Sequence, residues 1–245
     1  MTTRLLAMRV PPAASLPECG LALLSAIALA RAADRELVVR WEQTSYHIGY
    51  LQIWEPSTAF SIVSAEEWAD YTGSRFQPGT EAAVLQSDAP VVRILPRGAF
   101  CTDLPRTDPA TLLRLRLGLR ERVDAVAVQY HLDELAGLCL VGDTATVQAC
   151  IDHADEVTDY TRFIVFAEAL RPKILAKRAL HERFVAVPRA TYSPRTTRAA
   201  HSNIVDCYVL SRTARVYGSP TAYLSFIAAL NPAQQAPVII SPQIT

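Results

Sequence analysis

SNIVDCYVLSRTARVYGSPTAYLSFIAAL, residues 202–230, carries the densest pattern in this chain of 245 residues. It reads as an apolar helix that contains one acid, Asp206, then a short strand at Arg215–Tyr217. The turn Gly218-Ser219-Pro220 follows and opens a second helix. Small residues between a strand and a helix form a βα turn, and the unpaired N–H groups of the helix start make such a turn an anion site. An ordinary βα connection has the same spacing, so the turn alone does not identify a ligand.

Working outward, the same alternation recurs. Arg4–Val10 is a β-type run, followed by a Pro-rich loop to Cys19. A helix at Gly20–Ala33, apolar on nearly all faces and therefore buried, leads to a strand at Glu36–Trp41. A strand, helix and strand in this order predict a right-handed crossover and a parallel pair. Trp54 and Phe60 are expected core anchors, Ser64 and Glu67 form a capping box for a helix to about Tyr71, and the polar run Gly73–Ala89 reads as loop. Val91–Leu95 is a further strand. Asp108-Pro109 starts a helix predicted to run to about Tyr130, with its arginines on a solvated face.

In the second half, strands are expected at Gly137–Val141, Phe163–Phe166, Phe184–Val187 and Val238–Ile240. Helices from Asp143 to about Asp155 and over Arg171–Leu180 lie between them. The fold class is thus α/β, with two Rossmann-like lobes of mainly parallel sheet, divided at about residue 120 into 1–120 and 121–245. Ligand is expected in the cleft outside the strand C-termini.

Composition narrows the function classes. Lys plus Arg equals Asp plus Glu at 24 each, so net charge directs the chain neither to nucleic acid nor to anionic membrane. Five cysteines, Cys19, Cys101, Cys139, Cys150 and Cys207, form no C-x-x-C pair and predict free thiols in a reducing compartment. Arg4, Arg9 and the apolar run Leu21–Ala30 imitate a secretory signal. Pro11, Pro12 and Pro17 interrupt the basic region, and the run is short of the ~20 residues of a membrane span. A cytoplasmic protein without a membrane span is expected.

The stretch also resembles the last motif block of the fucosyltransferase superfamily that includes the nodulation-factor and α-1,6-fucosyltransferases. Ile204, Asp206, Leu210, Ser211, Arg212 and Thr213 match its helix. Val216, Tyr217, Gly218 and Ser219 match its strand and turn, and Ser225, Ala228, Ala229 and Leu230 the following helix. Near the N-terminus Ala32, Arg35, Leu37, Val38, Val39 and Trp41 match the block around the second strand. Only Gly20 remains of the family's glycine loop. The resemblance implies a GT-B type fold, with an acceptor-side N-terminal lobe and a C-terminal lobe for the nucleotide sugar.

It also implies the candidate site. Gly20, Asp143, Asp206, Gly218, Ser219 and Ser225 stand at motif positions of the family, whereas Arg195 and Arg198 come from a basic stretch at 171–198. That stretch also holds Arg171, Lys173, Lys177, Arg178, Arg183 and Arg189 against the single acid Glu182, and reads either as a solvated face or as an anion-binding wall. Glu168 partially matches an acid of the family. Where the family carries His and Arg for the donor diphosphate, this chain has Cys139 and Val141, which cannot hold one; Ala222, Tyr223 and Leu224 replace Ser, Ser and Phe.

The function expected is sugar transfer from a GDP-fucose type nucleotide sugar to a glycan or other acceptor, by an inverting route. No D-x-D motif occurs, so neither metal nor cofactor is expected, and no catalytic residue is assigned. The alternative is a catalytically inactive relative, a binding or structural module with protein partners or as a homo-oligomer. The basic stretch has too few aromatics for a nucleic-acid strand. Asp152, His153 and Asp155 share a helix turn but lack a second ligand cluster.

Overall fold

The computed structural model describes residues 4–10, 14–42, 48–76, 81–96, 109–187, 189, 191–193, 196–231 and 235–241. The chain divides into two compact units, Met1–Arg116 and Leu117–Thr245. Each is an α/β layer built on a five-stranded parallel sheet.

In the first unit the strands are β1 (Leu5–Val10), β2 (Glu36–Trp41), β3 (Ser61–Ile62), β4 (Ser74–Phe76) and β5 (Val91–Ile94), ordered β3-β2-β1-β5-β4. Helix α1 (Leu16–Ala32) starts four residues earlier than its apolar run suggests. Ser15 accepts from the Glu18 amide while the Glu18 carboxylate accepts from the Ser15 amide, and Pro17 sits in the first turn, where no amide is needed. Ala7, Val38 and Trp68, the last on α2 (Ala65–Asp70), pack on one face of the sheet. Arg35 is buried and donates to the carbonyls of Leu5, Ser87 and Ala89, which ties the entrances of β1, β2 and β5 together.

Two expectations for this unit need correction. The polar run Gly73–Ala89 is not all loop: it holds β4 and the helix α3 (Glu81–Gln86). β4 has little apolar patterning because it is a short edge strand, formed through its ladder with β5. The single helix expected over 109–130 is broken into α4 (Pro109–Leu112) and α5 (Leu117–Tyr130). Between them Leu115 forms an antiparallel bridge with Trp54, supported by Glu55 N–H to the Arg114 carbonyl and Arg116 N–H to that of Ile53. Burial of Leu113 and Leu115 beside the fully buried Trp54 overrides local helix propensity. The expected cap Asp108 lies outside the described residues.

The second unit orders its strands β10-β9-β6-β7-β8: β6 (Ala136–Cys139), β7 (Phe163–Phe166), β8 (Phe184–Ala186), β9 (Arg215–Gly218) and β10 (Val238–Ile239). Helices α6 (Thr144–Glu156) and α7 (Leu170–Leu180) send Val147, Ile151, Ala176 and Leu180 into a core with Ala136, Leu138, Phe163, Val165 and Tyr217. The alternate strand positions face the other side, where a Cβ added at Gly137 would meet Leu210 of α8 (Thr197–Leu210), and one at Gly218 would meet Leu224 of α9 (Ala222–Leu230). From β6 the chain winds outward through β7 to β8, then α8 returns it to the opposite flank of β6 as β9. The winding direction therefore reverses between β6 and β9. Among the described residues no helix is long and apolar enough to cross a membrane.

Candidate functional site at the carboxyl edge of the second sheet

In an open α/β sheet the loops leaving two neighbouring strands diverge to opposite faces where the winding reverses, which leaves a crevice at the carboxyl ends of those strands. In the second unit this point lies between β6 and β9. Val141, Gly142 and Asp143 follow β6, and Gly218 and Ser219 close β9.

Gly142 takes a φ of +142°, open to glycine, in the turn from β6 into α6. Asp143 then caps α6, its carboxylate accepting from the Thr146 amide at 2.8 Å. Those hydrogen bonds hold the carboxyl below its usual range, so Asp143 is a charged cap and a poor proton acceptor at neutral pH. Gly218 is required by close approach: a Cβ there would lie 2.8 Å from the Cys139 carbonyl oxygen and 3.0 Å from its Cβ. The Ser219 hydroxyl donates to the Val141 carbonyl at 2.5 Å and so clamps the two loops to each other. Thr221 caps α9 by accepting from the Leu224 amide. The N-termini of α6 and α9 thus open next to the crevice, with their positive ends toward it.

Beside the crevice, beyond the ends of β7 and β8, lies a buried polar network. Tyr223, in the first turn of α9, donates its hydroxyl to Glu168 and lies tilted against Phe166 with ring centres 5.0 Å apart. Asn203 of α8 donates to the Tyr223 oxygen at 3.2 Å and to Glu168 at 3.4 Å. Arg189, after β8, donates to the Ala167 carbonyl and to the Asn203 amide oxygen. Its Nε stands 3.6 Å from Asp206 Oδ2, an ion pair too long for a hydrogen bond, with both side chains no more than 2% exposed. Burial pushes the Asp206 carboxyl up to about 6, against the opposing pull of Lys173, Arg189 and Arg122. Burial pulls the Lys173 ammonium down from its usual value. The Tyr192 ring lies over both cations, 4.8 Å from the Arg189 guanidinium and 5.7 Å from Lys173 Nζ.

The structure distributes the sequence-derived candidates unevenly. Asp143, Gly218 and Ser219 meet at the crevice, and Asp206 lies in the neighbouring network. Ser225 is exposed, in the second turn of α9. Gly20 is inside α1 of the first unit and not in a loop, because the capping box at Ser15 carries the helix past it. Arg198 is exposed on the first turn of α8, and Arg195 lies outside the described residues.

The basic stretch divides by burial. Arg171, Lys177, Arg178 and Arg198 are solvated, Arg183 donates to the carbonyls of Asp155, Val157 and Tyr160, and Lys173 and Arg189 are interior. Asp152 accepts from Gln148 and Asp155 pairs with Arg183; no group of three His, Cys, Asp or Glu among the described residues could hold a metal ion. Lys173, Arg189, Asn203 and Tyr223 were not legible as a network, since they come from four separate segments. The available signal was Asn203 and Asp206 three apart on an apolar helix, where buried polar groups require partners.

No protein-family model matches this chain, and no curated protein matches it in sequence. Its fold does match solved structures. A NodZ α-1,6-fucosyltransferase co-crystallised with GDP superposes with a TM-score of 0.69 at 18% identity, over 95% of this chain and 94% of the other. An Arabidopsis thaliana FUT1 mutant in complex with GDP gives 0.62 at 13% identity, over 92% and 68% of the two chains. POFUT1 in complex with GDP-fucose gives 0.60 at 9% identity, over 96% of each. The chain therefore shares the GT-B type fold of these solved structures.

Proposed function

We propose that this chain binds a nucleotide sugar of the GDP-sugar type at the carboxyl edge of its second sheet and transfers the sugar to a glycan acceptor. The observation that carries this reading is the crevice between β6 and β9, flanked by the N-termini of α6 and α9. Two converging helix starts suit a diphosphate, since their amides donate without desolvating a side chain. Support also comes from structural neighbours that hold GDP or GDP-fucose.

A second reading, a binding module without turnover, is favoured by the residues that line the crevice. Asp143 is spent on a helix cap, the Ser219 hydroxyl on the Val141 carbonyl, and Cys139 and Val141 offer no cation. Titration with GDP and GDP-fucose, followed by thermal unfolding, tests both. Ligand at 100 times its dissociation constant should add ~2.7 kcal/mol of stability. No shift at millimolar nucleotide would remove the nucleotide site. Binding without release of GDP from GDP-fucose, in the presence of glycan acceptors, would select the module.

A further inference from the structure

Among the described residues, Lys173 is a buried cation whose charged group has no hydrogen-bond partner. It is 5% exposed, and its Nζ makes no hydrogen bond among the described residues. A buried ammonium in that condition is costly, and such groups are normally paired.

Its position explains where it reaches. Lys173 lies on the stripe of α7 that includes Ala176 and Leu180, which face the sheet on the α6 side. Asp206 belongs to α8, on the other side of that sheet, yet it acts electrostatically on Lys173, as does Arg189. Arg189 holds the Ala167 carbonyl just beyond β7, its Nε stands 3.6 Å from Asp206, and the Tyr192 ring lies 4.8 Å from its guanidinium and 5.7 Å from Lys173 Nζ. Helical side chains lean toward the helix N-terminus, which for the first turn of α7 is the carboxyl edge of the sheet. Tyr223 reaches from the first turn of α9 to Glu168 and Asn203, and Asn203 holds Arg189. One chain of side chains thus connects the Lys173 cluster to the crevice.

We propose that Lys173 is the residue that receives the terminal phosphate of the nucleoside diphosphate, approaching from the β7–β8 side of the edge. This inference rests on the donor-binding reading above. Arg189 is already engaged, its terminal nitrogens donating to Ala167 and Asn203. The contact places positive charge on the leaving diphosphate from α7, where Val141 of the β6 loop supplies none.

The test compares GDP with GMP by calorimetry on the full chain, as wild type and as Lys173→Met. Wild type should bind GDP more tightly than GMP. The variant should lose roughly 10- to 100-fold in GDP affinity, the size of a hydrogen bond to a charged group, and keep its GMP affinity. An unchanged GDP-to-GMP ratio in a folded Lys173→Met protein overturns the assignment and leaves the donor site standing. Wild type that binds neither nucleotide overturns the donor reading together with this one. Should Lys173→Met fail to fold, wild type carrying 13C-labelled lysine side chains supplies the answer. The Lys173 resonance, assigned with Lys173→Arg, should move with GDP and not with GMP, and a signal indifferent to GDP overturns the proposal.

Discussion

Asp206 concentrates the residue-scale chemistry of this protein. An ordinary Asp titrates near 3.9, whereas Asp206 is pushed up to about 6 by burial. The folded state therefore holds this proton more tightly than the unfolded chain. Stability from this group is greatest below about pH 4, falls as pH rises to about 6, and is level above that. The span corresponds to roughly 3 kcal/mol at 1.36 kcal/mol per unit. Melting temperatures measured from pH 4 to 7 should decline through that window in wild type more than in Asp206→Asn, which cannot titrate. Parallel profiles for the two proteins would place the raised acid elsewhere. Asp206, a candidate site residue in the sequence, thus shares a buried charge cluster with Arg189 and Lys173.

At the scale of elements, the turns after β6 and β9 do structural work that limits their chemistry. Asp143 accepts from the first turn of α6, a role that asparagine performs as well as aspartate. Asp143→Asn should leave the melting temperature unchanged, whereas Asp143→Ala should lower it through loss of the cap. If Asp143→Asn keeps its stability but loses turnover of GDP-sugar, the carboxylate has a role beyond capping. Such elements were readable where local rules suffice: β7 is Phe163–Phe166 as its apolar run predicts, and Ser64 with Glu67 caps α2. They were misread where a distant partner intervenes. β4 depends on β5, and the break between α4 and α5 depends on Trp54.

At the scale of the molecule, each unit carries its own sheet and its own buried cluster. The second unit covers both faces of its sheet, with α6 and α7 on one and α8 and α9 on the other. A protein of residues 117–245 should accordingly unfold in one cooperative transition and bind GDP as the full chain does. A broad, non-cooperative melt of that fragment would show that its core is incomplete. The α/β class was determined by sequence alone, because strand–helix alternation and the apolar runs depend only on neighbours along the chain. The turn positions of Asp143, Gly218 and Ser219 were legible the same way, since each sits in a short βα turn. The winding reversal that joins β6 to β9, and the meeting of Lys173, Arg189, Asn203 and Tyr223, were decided only by tertiary structure. Strand order and side-chain burial arise from contacts between segments tens of residues apart, and no local spacing encodes them.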